Sequence, residues 1–410
     1  MAADERNDGF VVEIINDNKS TPAEYANLYR RELLESVLPF WLTYSKDEQH
    51  GGYYTCLGRD GKVYDTDKFM WLQGREVWTF SYMYNNIEKN EQWLNMALHG
   101  ASFMEKYGRD ANGNWYFSLT ADGKPLVQPY NIFSDCFAAM AFASLDKALP
   151  TDRYKEIAVT TFENIISRQH NWKGTYNKAY PGTRALKSFS LPMILCNLSL
   201  ELEHIIGTNR VNELAPIVIR EVMEVFYKSE YGLILENVHT NGNFSNSFEG
   251  RLINPGHTIE AMWFIMDLGK RLNDQALIKK ACDIMLHTLD YGWDKKHGGI
   301  LYFMDVLGYP PQQLEWDQKL WWVHAEALVA LAKGYQLTGD ERCWRWFKKV
   351  HDYTWAFFRD KQYGEWFGYL NRQGEVLLNQ KGGKWKGCFH IPRALFQVWR
   401  TLEGVDGLTR

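Results

Sequence analysis

Two histidines stand where an acid/base pair would be needed. His257 lies in INPGHTIEAMWF and His390 in KWKGCFHIPRAL, each at the start of a helical pattern. An imidazole with an ordinary pKa near 6.5 takes or gives a proton at neutral pH, so a facing pair could strip a proton from one side of a carbon and return one to the other. Taken singly, each also reads as a histidine capping a helix start; two at matching repeat positions favour a shared site. Glu260 follows His257 by three residues on the same helical face and could orient its ring.

Arg75, in FMWLQGREVWTF, has Trp71 one turn before it, and Glu326, in KLWWVHAEALVALA, has Trp322 one turn before it. Each pair presents an indole and a charge together, which suits a sugar: a ring face to stack on and a charge for hydroxyls or for a developing oxyanion. A structural ion pair is the plainer reading of Arg75. Asn197, a polar residue in the apolar SLPMILCNLSL, must find partners, either a ligand or a neighbouring helix. Glu260 and Glu326 also admit reading as the two carboxyl groups of an inverting glycosidase, a reaction with no use for the histidines.

A repeat positions these residues. Gly- and aromatic-rich segments with a turn recur from His50, Asn112, Asn171, Tyr231, His297 and Tyr363, roughly 60 residues apart. Their RDG, ADG, TNG and RQG turns predict β-hairpins. Two helices follow each hairpin: one apolar on nearly all sides, as in DCFAAMAFASL, then one amphipathic, as in RYKEIAVTTFENIISRQ. With an opening helix near Ala23 to Thr43 and a closing one from Phe389 to Leu402, about twelve helices form an all-α (α/α)6 barrel with short hairpins at one mouth. Residues 1–20 read as an N-terminal extension and 21–410 as a single catalytic domain. The inner-helix N-termini then gather at one mouth, where helix ends add partial positive charge.

The 46 basic and 50 acidic residues give a formal charge of −4 with no basic run, so nucleic acid and anionic lipid are poor partners. The acidic N-terminus is no signal peptide, and no apolar run spans a bilayer. Six scattered cysteines without CxxC spacing read as reduced thiols in the cytoplasm. Neither HExxH, an EF-hand nor a P-loop is present, although KGGKWKG from Lys381 has a faintly phosphate-friendly look. We expect no metal. The aromatic content of 15% fits carbohydrate, but it fits an ordinary core as well.

The segments DKFMWLQGREVW, NPGHTIEAMWF, QLEWDQKLWWVHAEAL, YGEWFGYLNRQGEV and KGGKWKGCFHIPRA resemble the N-acyl-D-glucosamine 2-epimerases, the renin-binding protein family, and in particular their cyanobacterial type. The likeness runs from about Tyr25 onward. It implies an (α/α)6 barrel, a homodimer, N-acetylglucosamine and N-acetylmannosamine as substrates, and ATP as an activator that is not consumed. It also implies His257 and His390 as the acid/base pair, with Arg75, Glu260 and Glu326 at the substrate. Related sugar isomerases and cellobiose 2-epimerases carry a further histidine on the third inner helix, where this chain has Asn197. That departure favours the N-acyl-hexosamine branch over cellobiose epimerisation or aldose–ketose isomerisation; a purely binding role ranks last because it would have no need of an intact acid/base constellation.

Overall fold

The computed structural model describes residues 21–406 except 172 and 181; the extension expected over 1–20 lies outside the described residues. Helix α1 (Pro22–Glu32) opens on a capping box, with the Thr21 side chain accepting from the Glu24 N–H and Glu24 reaching back. One π-turn carries it into α2 (Leu38–Tyr44). Five inner helices with their outer partners follow. These are α3 (Met70–Asn86) with α4 (Glu91–Tyr107), α5 (Phe133–Ala148) with α6 (Asp152–Arg168), and α7 (Ser190–Glu201) with α8 (Glu203–Ile206) and α9 (Thr208–Arg220). After them come α10 (Pro255–Leu272) with α11 (Gln275–Gly292), and α12 (Trp321–Thr338) with α13 (Glu341–Phe357). The inner helix α14 (His390–Asp406) ends the series and packs on α1.

Burial separates the two rings as the apolar patterns predict. Every residue of α12 from Trp321 to Gly334 is buried, whereas α13 buries a stripe that includes Cys343, Phe347 and Val350. The inner ring closes where Trp78 of α3 meets Phe389 at 5.2 Å and the Thr79 hydroxyl donates to the Cys388 carbonyl at 2.7 Å. Between α3 and α5 the approach is so close that a Cβ on Gly74 would stand 2.8 Å from the Phe137 carbonyl, so only glycine fits there. The result is the (α/α)6 barrel expected from the repeat.

The mouth differs from six local hairpins. Ser118–Leu119 with Pro125–Val127, and Tyr369–Leu370 with Val376–Leu378, do form them. The segment from His50 makes isolated bridges alone, Tyr53 to Lys46 and Leu57 to Val63, and the one from Asn171 holds a 3-10 turn at Gly174–Tyr176. Tyr227–Lys228 closes one further local hairpin with Leu233–Ile234, and the other strands pair across the repeat. Lys68–Phe69 before α3 joins Ser118–Leu119, Leu186–Ser188 before α7 joins Asn237–His239, and Leu252–Ile253 before α10 joins Met304–Asp305. Lys319–Leu320 before α12 joins Tyr369–Leu370 in the same way. Each such entry strand is thereby stitched to the segment preceding the next inner helix, because a two- or three-residue strand satisfies its backbone groups with whichever neighbour the helices bring alongside.

A buried Asp–Lys pair recurs at three entries: Asp47–Lys68 at 2.5 Å, Asp294–Lys319 at 3.0 Å and Asp360–Lys381 at 2.8 Å. Such pairs add little net stability but specify one arrangement. Here they set where α3 and α12 begin, and Trp71 with Arg75 and Trp322 with Glu326 fall at the same offsets from Lys68 and Lys319. Two of the three lysines of the KGGKWKG loop serve the same end, Lys381 on Asp360 and Lys386 on Glu365. All six cysteines are buried and free, and no helix among the described residues is long and apolar enough to cross a membrane.

Candidate active site

The amino-terminal ends of the inner helices enclose a cavity of about 590 Å3. Its lining includes His257, His390, Arg75, Glu260, Trp71 and Trp322, six of the eight residues expected from sequence. The Trp322 indole lies 5.2 Å from the His257 ring and 5.8 Å from the His390 ring, centre to centre, so the two imidazoles flank one aromatic face.

Each imidazole is held by a carboxylate, though by different ones than the spacing suggested. His257 Nδ1 lies 3.0 Å from Glu236, which follows Leu235 in the strand-rich segment before α10; Glu260, one turn along α10, instead pairs with Arg393. His390 Nδ1 lies 2.7 Å from Glu326. Glu326 is wholly buried and also accepts from Arg393 at 2.7 Å and from the Trp263 indole at 2.9 Å, so it supports His390 from behind and does not line the cavity. Held through Nδ1, each ring leaves Nε2 as its free nitrogen.

Arg75 is short of counter-charge. Its guanidinium lies 4.0 Å from the Phe137 ring, 4.4 Å from Trp71 and 4.7 Å from Phe389, and its buried Nε has no hydrogen-bond partner. Burial draws its pKa down to about 9, with Glu260 and Glu326 opposing that pull and Arg393 adding to it. A cation so placed favours an oxygen that gains negative charge. The structural ion pair considered from sequence belongs to Arg393, which bridges Glu260 and Glu326.

The histidines are tuned apart. Burial disfavours charge on His257, but the charge and hydrogen bond of Glu236, with Glu260 beyond, outweigh it and raise the pKa above the ordinary value. His390 is driven well below that value by burial, and Arg75, Arg393 and His257 add to the effect over the opposition of Glu260. The two rings are thereby biased in opposite senses, His257 toward holding a proton and His390 toward being free to accept one.

Asn197 lies elsewhere. It lines a second cavity of about 540 Å3 among the carboxyl-terminal halves of the inner helices, and α7 presents Ser190, Met193 and Ile194 to the first cavity instead. Seven residues separate Ser190 from Asn197, about 10 Å along a helix, which carries the amide past the site. The ligand atoms of Glu260, Glu326 and His390 fall within 4.8 Å of one another, a spacing a metal ion could use. Arg393 already spans both carboxylates there and supplies the positive charge. The same bridging leaves Glu260 and Glu326 unsuited to the separate acid and base of a glycosidase. Sequence reasoning missed Glu236 and Arg393. The second had a signal, a charge one turn after His390 on an apolar helix; for the first, only an acid set between buried Leu235 and Val238 stood out.

Residues 52–394 match the family model described as N-acylglucosamine 2-epimerase (GlcNAc 2-epimerase). The chain is 40% identical to the N-acylglucosamine 2-epimerase of Mus musculus, covering 88% of each chain. To that of Homo sapiens it is 40% identical, over 88% of this chain and 86% of the relative. The solved structure of cellobiose 2-epimerase from Bacillus thermoamylovorans superposes with a TM-score of 0.80 at 21% identity, covering 92% of this chain and 99% of that one, which bears out the barrel. With the barrel, the cavity and these likenesses in agreement, the chain belongs to the N-acylglucosamine 2-epimerase family.

Proposed function

We propose that this protein interconverts N-acetyl-D-glucosamine and N-acetyl-D-mannosamine by moving the proton at C2. The observation that carries the reading is a pair of imidazoles in one cavity, each tied through Nδ1 to its own carboxylate, beside an arginine with unspent charge. The C2 hydrogen of a closed sugar is not acidic, so the ring opens first and the C1 aldehyde makes deprotonation possible. The neutral imidazole removes the proton through Nε2, Arg75 meets the enolate oxygen, and the charged imidazole delivers a proton to the opposite face. Trp322, between the rings, offers a surface for the sugar. In this reading Glu236 and Glu326 fix the tautomers, and Arg393 holds Glu326 in place.

Incubation with N-acetylmannosamine, followed by NMR with and without ATP, tests the reading. Formation of N-acetylglucosamine as the sole new sugar supports it; a ketose would mark an aldose–ketose isomerase instead. We further propose that ATP activates without being consumed, since the chain has no P-loop and a C2 inversion is close to thermoneutral. A non-hydrolysable analogue then preserves activity, and stoichiometric ADP release refutes the proposal. A homodimer working in a reducing cytoplasm completes the reading, the latter supported by six free cysteines.

A further inference from the structure

The cavity is chemically lopsided. Four of its six inner helices bring hydrogen-bonding or charged groups: Arg75 on α3, His257 and Glu260 on α10, the Trp322 indole on α12 and His390 on α14. The remaining two, α5 and α7, are adjacent in the ring and bring Phe133, Phe137, Met193 and Ile194. Their one polar contribution is the Ser190 hydroxyl, which lies 3.0 Å from the Ser188 hydroxyl. A sugar hydroxyl turned to Phe133, Phe137, Met193 or Ile194 would lose its water and find no partner on those side chains, at a cost well above that of a methyl in the same place.

We propose that the α5–α7 wall is the acyl subsite, where Met193 and Ile194 receive the alkyl end of the C2 acylamino group and limit its length. The inference rests on the epimerase reading above and adds which part of the cavity wall takes the acyl chain and limits its length. With the aldehyde oxygen at Arg75 on α3 and C2 between the two histidines, the substituent on C2 has the neighbouring α5–α7 side open to it. Phe137 serves both functions, since its ring also backs the Arg75 guanidinium at 4.0 Å. Met193 and Ile194 are 5% and 4% exposed, so what little surface they show is the cavity wall itself.

The test compares kcat/KM for N-acetyl-, N-propionyl- and N-butanoyl-D-glucosamine in the wild type, Met193→Ala and Ile194→Ala. A methylene gained or refused by an apolar pocket changes selectivity by about tenfold or more. The wild type is expected to lose efficiency with each added carbon. At least one of the two variants should shift the butanoyl-to-acetyl ratio by about tenfold toward the longer chain, chiefly through KM. Any misfolded fraction cancels in a ratio measured on one preparation. A ratio unchanged in both variants while both rates fall together would overturn the subsite. Wild-type enzyme that epimerises none of the three sugars would instead remove the epimerase reading, and the subsite with it.

Discussion

Glu236 was invisible to spacing arguments, and replacing it gives the sharpest perturbation of His257. Glu236→Gln keeps an oxygen that can accept from His257 Nδ1, so the ring keeps its tautomer and loses only the charge. Glu236→Ala removes both. A hydrogen bond to a charged group contributes about 1.5–3 kcal/mol against about 1 kcal/mol for a neutral one. With 1.4 kcal/mol per factor of ten, the alanine variant should lose about 10- to 150-fold in kcat/KM and the glutamine variant about 2- to 30-fold. The sign of the pH effect follows from what holds the proton on His257. Burial disfavours it and Glu236 more than compensates, so without the carboxylate burial prevails and the folded pKa falls. The alkaline limb of kcat/KM, which reports loss of that proton, must then move to lower pH in both variants, while the acid limb set by His390 moves less and in the opposite sense, because the His257 charge helps hold the His390 pKa down. A pH series of initial rates reads both limbs. An unmoved alkaline limb, or a glutamine variant more damaged than alanine, would refute the claim that Glu236 tunes His257.

Three further outcomes follow from the same geometry. Arg75→Lys should lose nearly as much kcat as Arg75→Ala, on the order of 100-fold, because a flexible point charge does not reproduce a planar fork aimed at an oxygen; recovery of kcat with lysine would return Arg75 to a structural role. Arg393→Met should lower stability by about 3–5 kcal/mol, since it strands the buried Glu260 and Glu326, and a melting temperature within a degree of wild type would contradict the bridge. His324 and His351 are held neutral by burial, each near pKa 3. The unfolded chain binds those protons near 6.5 and the folded chain near 3, so stability is complete above about pH 6.5 and declines as pH falls below it. Melting temperatures flat from pH 7 to pH 4 would show that these rings are not what acid attacks.

The barrel was legible because its signal is repetitive and local: a buried helix, an amphipathic helix and a turn segment, recurring around the ring. The two histidines and Arg75 were legible for the same reason, since a polar residue near the start of an all-apolar inner helix must face the mouth. Partner assignments were not. Glu260 shares a helical face with His257, but whether they touch depends on what stands opposite, and Arg393 from α14 takes Glu260 while the strand-rich segment before α10 brings Glu236 to the ring. The cross-repeat strand pairs escaped for a related reason, as DG and NG turns report local chain reversal and say nothing about distant partners. Asn197 was misplaced by depth along α7, a coordinate that depends on where the helix begins.

Solvent deuterium at C2 is the most direct test of two histidines working on opposite faces. In D2O the wild type is expected to wash deuterium into C2 of both epimers while interconverting them. His257→Asn and His390→Asn should each lose net epimerisation by at least about 100-fold, the contribution usual for a general acid or base. Any exchange that survives should then affect a different epimer in each variant, because each keeps the base for one face. Exchange of the same epimer by both variants, or epimerisation near the wild-type rate in either, would contradict the mechanism.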